Sequence, residues 1–151
     1  MEKQVFKVSE IEISYRPAFK LSERPKVTSS NIAYGILDQN WDHNKMELLE
    51  EFKVLFLNRQ NRVLGVLNVA QGGFSEVMID PKVIFSAALK ACASGIILSH
   101  NHPSSELSPS EADIRLTRKM LEGGKLLGIE VHDHLILSSY GYYSFRDEGI
   151  M

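Results

Sequence analysis

Apolar and polar residues alternate from Glu50 to Leu57. Glu50, Phe52, Val54 and Phe56 fall on one side, and Glu51, Lys53, Leu55 and Leu57 on the other. A period of two predicts a strand. The turn-rich Asn58–Arg62 and the run Val63–Val69 predict the returning strand of a hairpin. Gly72-Gly73 breaks that run, and Ser75–Ile79 predicts a third short strand. Asp80-Pro81 then opens a helix with Asp80 as N-cap, and Val83, Ile84, Ala87, Ala88 and Ala91 recur at helical spacing to form its buried face. Gly95-Ile96-Ile97-Leu98 is a short continuous apolar run and predicts a buried strand. Ser108-Pro109-Ser110-Glu111 predicts a helix start, with Ser108 as N-cap, Pro109 in the first helical position and Glu111 three residues after the cap. That helix turns Ala112, Leu116, Met120 and Leu121 to the core. Gly123-Gly124 and Gly128 mark its end or a break. Ile129–Ser138 and Tyr142–Phe145 predict the last two strands.

The first 28 residues have a different texture. Ile11, Ile13 and Tyr15 alternate with Glu12 and Ser14, which predicts an edge strand within residues 4–16. Pro17 and Pro25 among charged residues predict an extended arm, and Thr28, Ser29 and Ser30 offer caps for a helix through Ile32, Tyr34, Ile36 and Leu37. Trp41 reads as a packing anchor. Strands and helices interleave, so the fold class is α/β, a mixed sheet sandwiched by helices. The organisation is a strand or arm over residues 1–28 followed by one domain over 29–151.

Composition narrows the class without changing it. The chain has 151 residues, 44% hydrophobic and 24% charged, which is ordinary for one globular domain with a real core. No apolar run approaches the roughly 20 residues that cross a bilayer, and the N-terminus lacks a signal-peptide core, which predicts a cytoplasmic protein with no membrane partner. The net charge of −2 offers no electrostatic case for nucleic-acid binding, and Arg115, Arg118 and Lys119 read as a solvated helix face. The lone cysteine, Cys92, excludes an internal disulfide. It falls in an Ala-rich helical pattern, where a small buried core residue is expected.

The candidate chemistry lies between the Gly95 strand and the helix that follows. His100 and His102 have the spacing that points both side chains to one side of an extended segment. Asp113 arrives near the first turn of the next helix, three residues after Ser110 and on one face with it. Two neutral imidazoles and a carboxylate are the ligand set of an open catalytic zinc site, with water in the fourth position. The competing reading is a pair of polar loop histidines, with Asp113 merely favouring a helix N-terminus.

At these residues a resemblance enters. His100-x-His102, then Ser110 and Asp113, resembles the JAMM (MPN-plus) zinc metallopeptidase motif. The wider text Ile96-Ile97-Leu98-Ser99-His100-Asn101-His102-Pro103-Ser104, with Pro109-Ser110, Asp113 and Asp133-His134-Leu135-Ile136, resembles the bacterial RadC-type branch, from about Glu50 to the C-terminus. The resemblance implies a cytidine-deaminase-like JAB/MPN sandwich, Zn²⁺ as cofactor, and hydrolysis of a peptide or isopeptide bond in a peptide or protein substrate. It also implies a glutamate on an upstream strand as general base. Glu50 and Glu51 are the candidates. Alternation favours Glu50, which shares a face with Phe52, Val54 and Phe56, whereas Glu51 shares one with Lys53. Ser110 is implied as the donor to a developing oxyanion, against the alternative of a first-turn serine that only satisfies backbone amides.

Other polar residues take supporting parts. Asn101 and Ser99 are expected to buttress the histidines, and Pro103 to stiffen the turn after His102. His132 and His134 repeat the spacing of the first pair, but no helical carboxylate follows them. Supporting or core roles for Asp133 and His134 are preferred to a second metal site, and His43 reads as surface. The chain departs from the RadC-like pattern at Ser105, where a glycine is usual, and at Phe74-Ser75-Glu76, where a Gly-Thr pair is usual. A helix-hairpin-helix-like region that often precedes the domain has no counterpart here. These departures spare the ligands and weaken a DNA role inferred from that region. The rival functions are a DNA-repair-associated protein acting on or near DNA, as the RadC-like resemblance implies, or a binding module with a vestigial site.

Overall fold

The computed structural model describes residues 2–72 and 78–151. A five-stranded mixed sheet runs in the order β2-β1-β3-β4-β5, built from β1 Glu51–Leu57, β2 Val63–Gln71, β3 Gly95–Asn101, β4 Glu130–Ser138 and β5 Gly141–Ser144. Every neighbouring pair is antiparallel except β3 and β4, which are parallel and joined through a helix. Among the described residues three α-helices flank the sheet: α1 Ser30–Gln39, α2 Pro81–Lys90 and α3 Glu111–Leu127.

The alternation in β1 becomes two cores. Phe52, Val54 and Phe56 pack with Ile84, Phe85 and Ala88 of α2, Met120 of α3, and Ile96 and Leu98 of β3. Leu55 and Leu57 face the other way, toward Ala33 and Leu37 of α1, Trp41, Ile97 and Leu135. β1 and β3 are buried along their whole length, as central strands covered on both faces must be. Trp41 is buried in the second core, with the Lys53 ammonium 5.1 Å from its ring centroid.

Several expectations need correction. Residues 4–16 form no strand. They hold no regular secondary structure, and Val5, Val8 and Ile11 are each more than 85% exposed. A strand requires a partner's backbone groups, and what ties this segment to the sheet is the Tyr15 hydroxyl, which donates to the Leu64 carbonyl at 2.6 Å. The arm carries only the short turn Leu21–Glu23 and a Lys26–Arg62 bridge before Ser29 caps α1. The strand expected over Ser75–Ile79 falls largely outside the described residues, and Met78 and Ile79 are not in a strand.

In α2 the buried residues are Ile84, Phe85 and Ala88, whereas Val83 is exposed. Cys92 is exposed, beyond the helix, and in the left-handed region at φ 54°. The helix ends at Lys90, so the small-residue periodicity stops short of Cys92. The next helix begins two residues later than its Ser-Pro signature suggested: Ser110, not Ser108, is the N-cap of α3. Gly123-Gly124 do not break α3. A Cβ on Gly124 would lie 2.3 Å from the Ile129 carbonyl oxygen, so the glycine lets helix and strand approach. The helix stops at Gly128, whose φ of 70° suits a residue without Cβ.

Candidate metal centre

The sheet carries β1 and β3 in opposite directions, with Phe52 opposite His100. The start of β1 therefore lies beside the end of β3, and Glu50, immediately before β1, reaches the two histidines. The N-terminus of α3 supplies Asp113 from the third helical position. Glu50, His100, His102 and Asp113 can each offer one ligand atom with all four within 4.8 Å of one another.

His100 is 1% exposed and His102 half-buried. Their Nε2 atoms are 2.9 Å apart. Asp113 Oδ1 lies 3.3 Å from His100 Nε2, and Asp113 Oδ2 lies 3.2 Å from His102 Nε2. Two ligands about 2.05 Å from a tetrahedral ion would stand roughly 3.3 Å apart, so the donor set has the spacing of a tetrahedral site. His102 Nδ1 donates to the Glu106 carbonyl at 2.5 Å, which turns its Nε2 toward the cluster.

The charges fit a cation. Burial opposes ionisation of Asp113, but the two imidazoles beside its carboxylate and the Ser110 amide outweigh it and hold the carboxyl well below its ordinary value of 3.8. Burial also opposes protonation of His102, while Asp113, the Glu106 carbonyl and the Glu50 charge raise its pKa above 6.5. Without a metal, protonation of His102 is favoured by the carboxylates that converge on it. A bound cation would compete with that proton for the same nitrogen.

Ser110 and Asp113 form a capping box. The Asp113 amide donates to Ser110 Oγ at 3.1 Å, and the Ser110 amide donates to Asp113 Oδ2 at 2.8 Å. The serine hydroxyl hydrogen is not consumed by these bonds. Glu51 lies on the opposite face from Glu50. Its carboxylate accepts from Gln71 at 3.2 Å and pairs with Lys53 at 3.8 Å.

Asn101 and Ser99 do not touch the histidines as expected, because alternation along β3 points them to the other face. Asn101 is fully buried. Its Oδ1 accepts from the Glu51 amide at 2.7 Å, and its Nδ2 donates to the Met46 and Leu49 carbonyls at 2.7 and 2.8 Å. It thus grips the backbone on both sides of Glu50. The Ser99 hydroxyl donates to the Lys53 carbonyl.

A bulge in β4 separates the second histidine pair: Ile96 pairs with Val131 and Ile97 with Asp133, so His132 is skipped. His132 turns toward Glu130, and burial lowers its pKa. His134 is fully buried, 2.8 Å from His100. Burial and its histidine neighbours push its pKa well below 6.5, so it is neutral. Asp133 ties β4 to the chain after β5, accepting from Ser144 Oγ at 2.6 Å and the Arg146 amide at 3.0 Å, and burial raises its pKa. His43 sits at the surface beside Asp38. Sequence reasoning missed Thr117, buried one turn after Asp113, whose hydroxyl lies 2.7 Å from His134 Nδ1. The available signal was a polar residue four after Asp113, on the helix face that continues to Met120.

An α/β domain with a four-residue cluster able to hold a metal at the mouth of its central strands is the class that fold and site define. Comparison with known proteins makes it specific. The RadC-like JAB domain family matches residues 27–150, and the chain belongs to that family. It is 39% identical to a UPF0758 protein of Flavobacterium johnsoniae over 98% of this chain and 64% of the relative. A UPF0758 protein of Porphyromonas gingivalis is 37% identical over 99% of this chain and 65% of the relative. One from Methanosarcina mazei is 36% identical over 83% of this chain and 54% of the relative. The chain thus spans just under two-thirds of the length of the first two relatives. No helix among the described residues is long and apolar enough to cross a membrane.

Proposed function

We propose that the domain is a zinc-dependent hydrolase that cleaves a peptide or isopeptide bond. The observation that carries the reading is the convergence of Glu50 on His100, His102 and Asp113, within 4.8 Å. His100, His102 and Asp113 would hold the ion, which when bound supplies a Lewis acid that makes water acidic near neutral pH. Glu50 takes a proton from the attacking water and delivers it to the leaving amine nitrogen, so that the C–N bond breaks to a carboxylic acid and an amine. Glu50, Phe52 and Asp113 line one cavity, which gives a substrate room beside the base. Ser110 donates its remaining hydroxyl hydrogen to the oxyanion.

The net charge of −2 gives no support to a direct DNA role. The test is elemental analysis of protein purified without added metal, with turnover of a fluorogenic peptide and isopeptide panel. Wild type should carry one zinc per chain. Glu50→Gln should keep the zinc and lose turnover by at least about a hundredfold, at the lower end of general-base contributions. Full activity in that variant would remove Glu50 from the mechanism.

A further inference from the structure

We propose that His134 and Thr117 are positioning residues that fix the tautomer of His100, so that its Nε2 presents a lone pair rather than a proton to the metal cluster. The inference rests on the metal-hydrolase reading, but hydrogen-bond obligations carry it.

The chain of bonds has one open direction. A backbone carbonyl can only accept, so the Thr117 hydroxyl, 2.7 Å from the Asp113 carbonyl, donates to it. The hydroxyl has one hydrogen. His134 Nδ1, 2.7 Å from the same oxygen, must therefore donate. A neutral imidazole that donates through Nδ1 accepts through Nε2. His134 Nε2 is 2.8 Å from His100 Nδ1, which must then carry the hydrogen. His100 Nε2 is left as a lone pair facing His102 and Asp113.

Burial locks this direction. His134 is 0% exposed, His100 1% and Thr117 2%. The His134 ring stacks on Phe145 with centroids 4.6 Å apart, and Phe52 packs edge-on at 5.7 Å. These apolar walls offer neither nitrogen another polar partner. The opposite direction would put the hydrogen of His100 on Nε2, aimed at Asp113, and no metal could bind there. Asp113 therefore acts at both ends: its carbonyl sets the direction of the chain, and its carboxylate joins the site that the chain prepares.

The experiment has two arms. Long-range ¹H–¹⁵N spectra of metal-free, histidine-labelled protein should show both His100 and His134 as Nδ1–H tautomers. Zinc affinity is then measured by chelator competition. His134→Phe keeps the stack on Phe145 but removes the acceptor, and should weaken zinc binding by about tenfold or more. His134→Gln offers an amide oxygen near the Nε2 position and should restore affinity to within about threefold. Thr117→Val should weaken zinc binding, and Thr117→Ser should restore it. An Nε2–H tautomer on His100 in the wild type overturns the proposal, as does a folded His134→Phe with wild-type affinity. Should His134→Phe fail to fold, the Thr117 pair and the wild-type spectra decide. Nδ1–H tautomers in a wild type that binds no zinc would uphold the bond direction and sink the metal reading instead.

Discussion

At the scale of single residues, the loop that carries His102 holds a conformational cost. Ser105 adopts φ 63°, in the left-handed region, at a position where the RadC-like pattern usually has glycine. Its amide donates to the His102 carbonyl at 2.9 Å, so the turn that places His102 depends on this backbone shape. A left-handed residue with a Cβ costs about 1–2 kcal/mol, partly offset by the greater freedom of glycine in the unfolded chain. Ser105→Gly should therefore stabilise the domain by about 0.5–1 kcal/mol, readable as a shift in urea midpoint with an unchanged slope. A lower midpoint would show that the serine side chain supplies more than the backbone loses.

At the scale of elements, the site is a junction of three chain segments, and Asn101 joins two of them. Its amide bonds to Met46, Leu49 and Glu51 fix the approach to β1, and Glu50 lies between the last two. Asn101→Ala would leave three backbone groups, two buried and one part-buried, without that partner, at about 1–3 kcal/mol for each buried one that remains unpaired. We expect the variant to bind zinc nearly as wild type, because His100 and His102 leave β3 on the other face. It should lose turnover severely because Glu50 is no longer held. Parallel loss of zinc and activity would mean that Asn101 supports β3 itself rather than Glu50.

At the scale of the whole molecule, the proposed metal would couple to protonation and to folding. The His102 pKa is raised in the folded protein, so its favourable pairing with Asp113 is fully present below pH 6.5 and is lost as pH rises through the folded value. The Asp113 carboxyl is depressed, so its contribution is present above 3.8 and is lost only in acid. Zinc needs the lone pair that the His102 proton occupies. Zinc stabilisation should thus grow from mildly acidic to mildly alkaline pH, because proton competition fades while the metal-free protein weakens. At a free zinc concentration about a hundred times Kd, the gain is about 2.7 kcal/mol. For a domain of this size that raises Tm by about 5–10 °C. A zinc-induced Tm increment that stayed flat or shrank with rising pH, by calorimetry, would break the linkage.

The α/β class, the central strands and the residue types of the candidate site were legible in the sequence, because period-two and apolar runs are local and a His-x-His pair at a strand end is visible without a fold. The sequence also narrowed the candidates for a general base to Glu50 and Glu51, one residue apart. The tertiary structure decided which of the two stands beside the histidines, since that depends on the register of β1 against β3. It moved the cap of α3 to Ser110, because Ser108 and Ser110 both suit a cap and the choice turned on where Asp113 could meet two imidazoles. It left residues 4–16 outside the sheet, for alternation is necessary for a strand but a partner edge makes one. His134 and Thr117 became visible only in three dimensions, brought to His100 by a bulge in β4 and by one turn of α3.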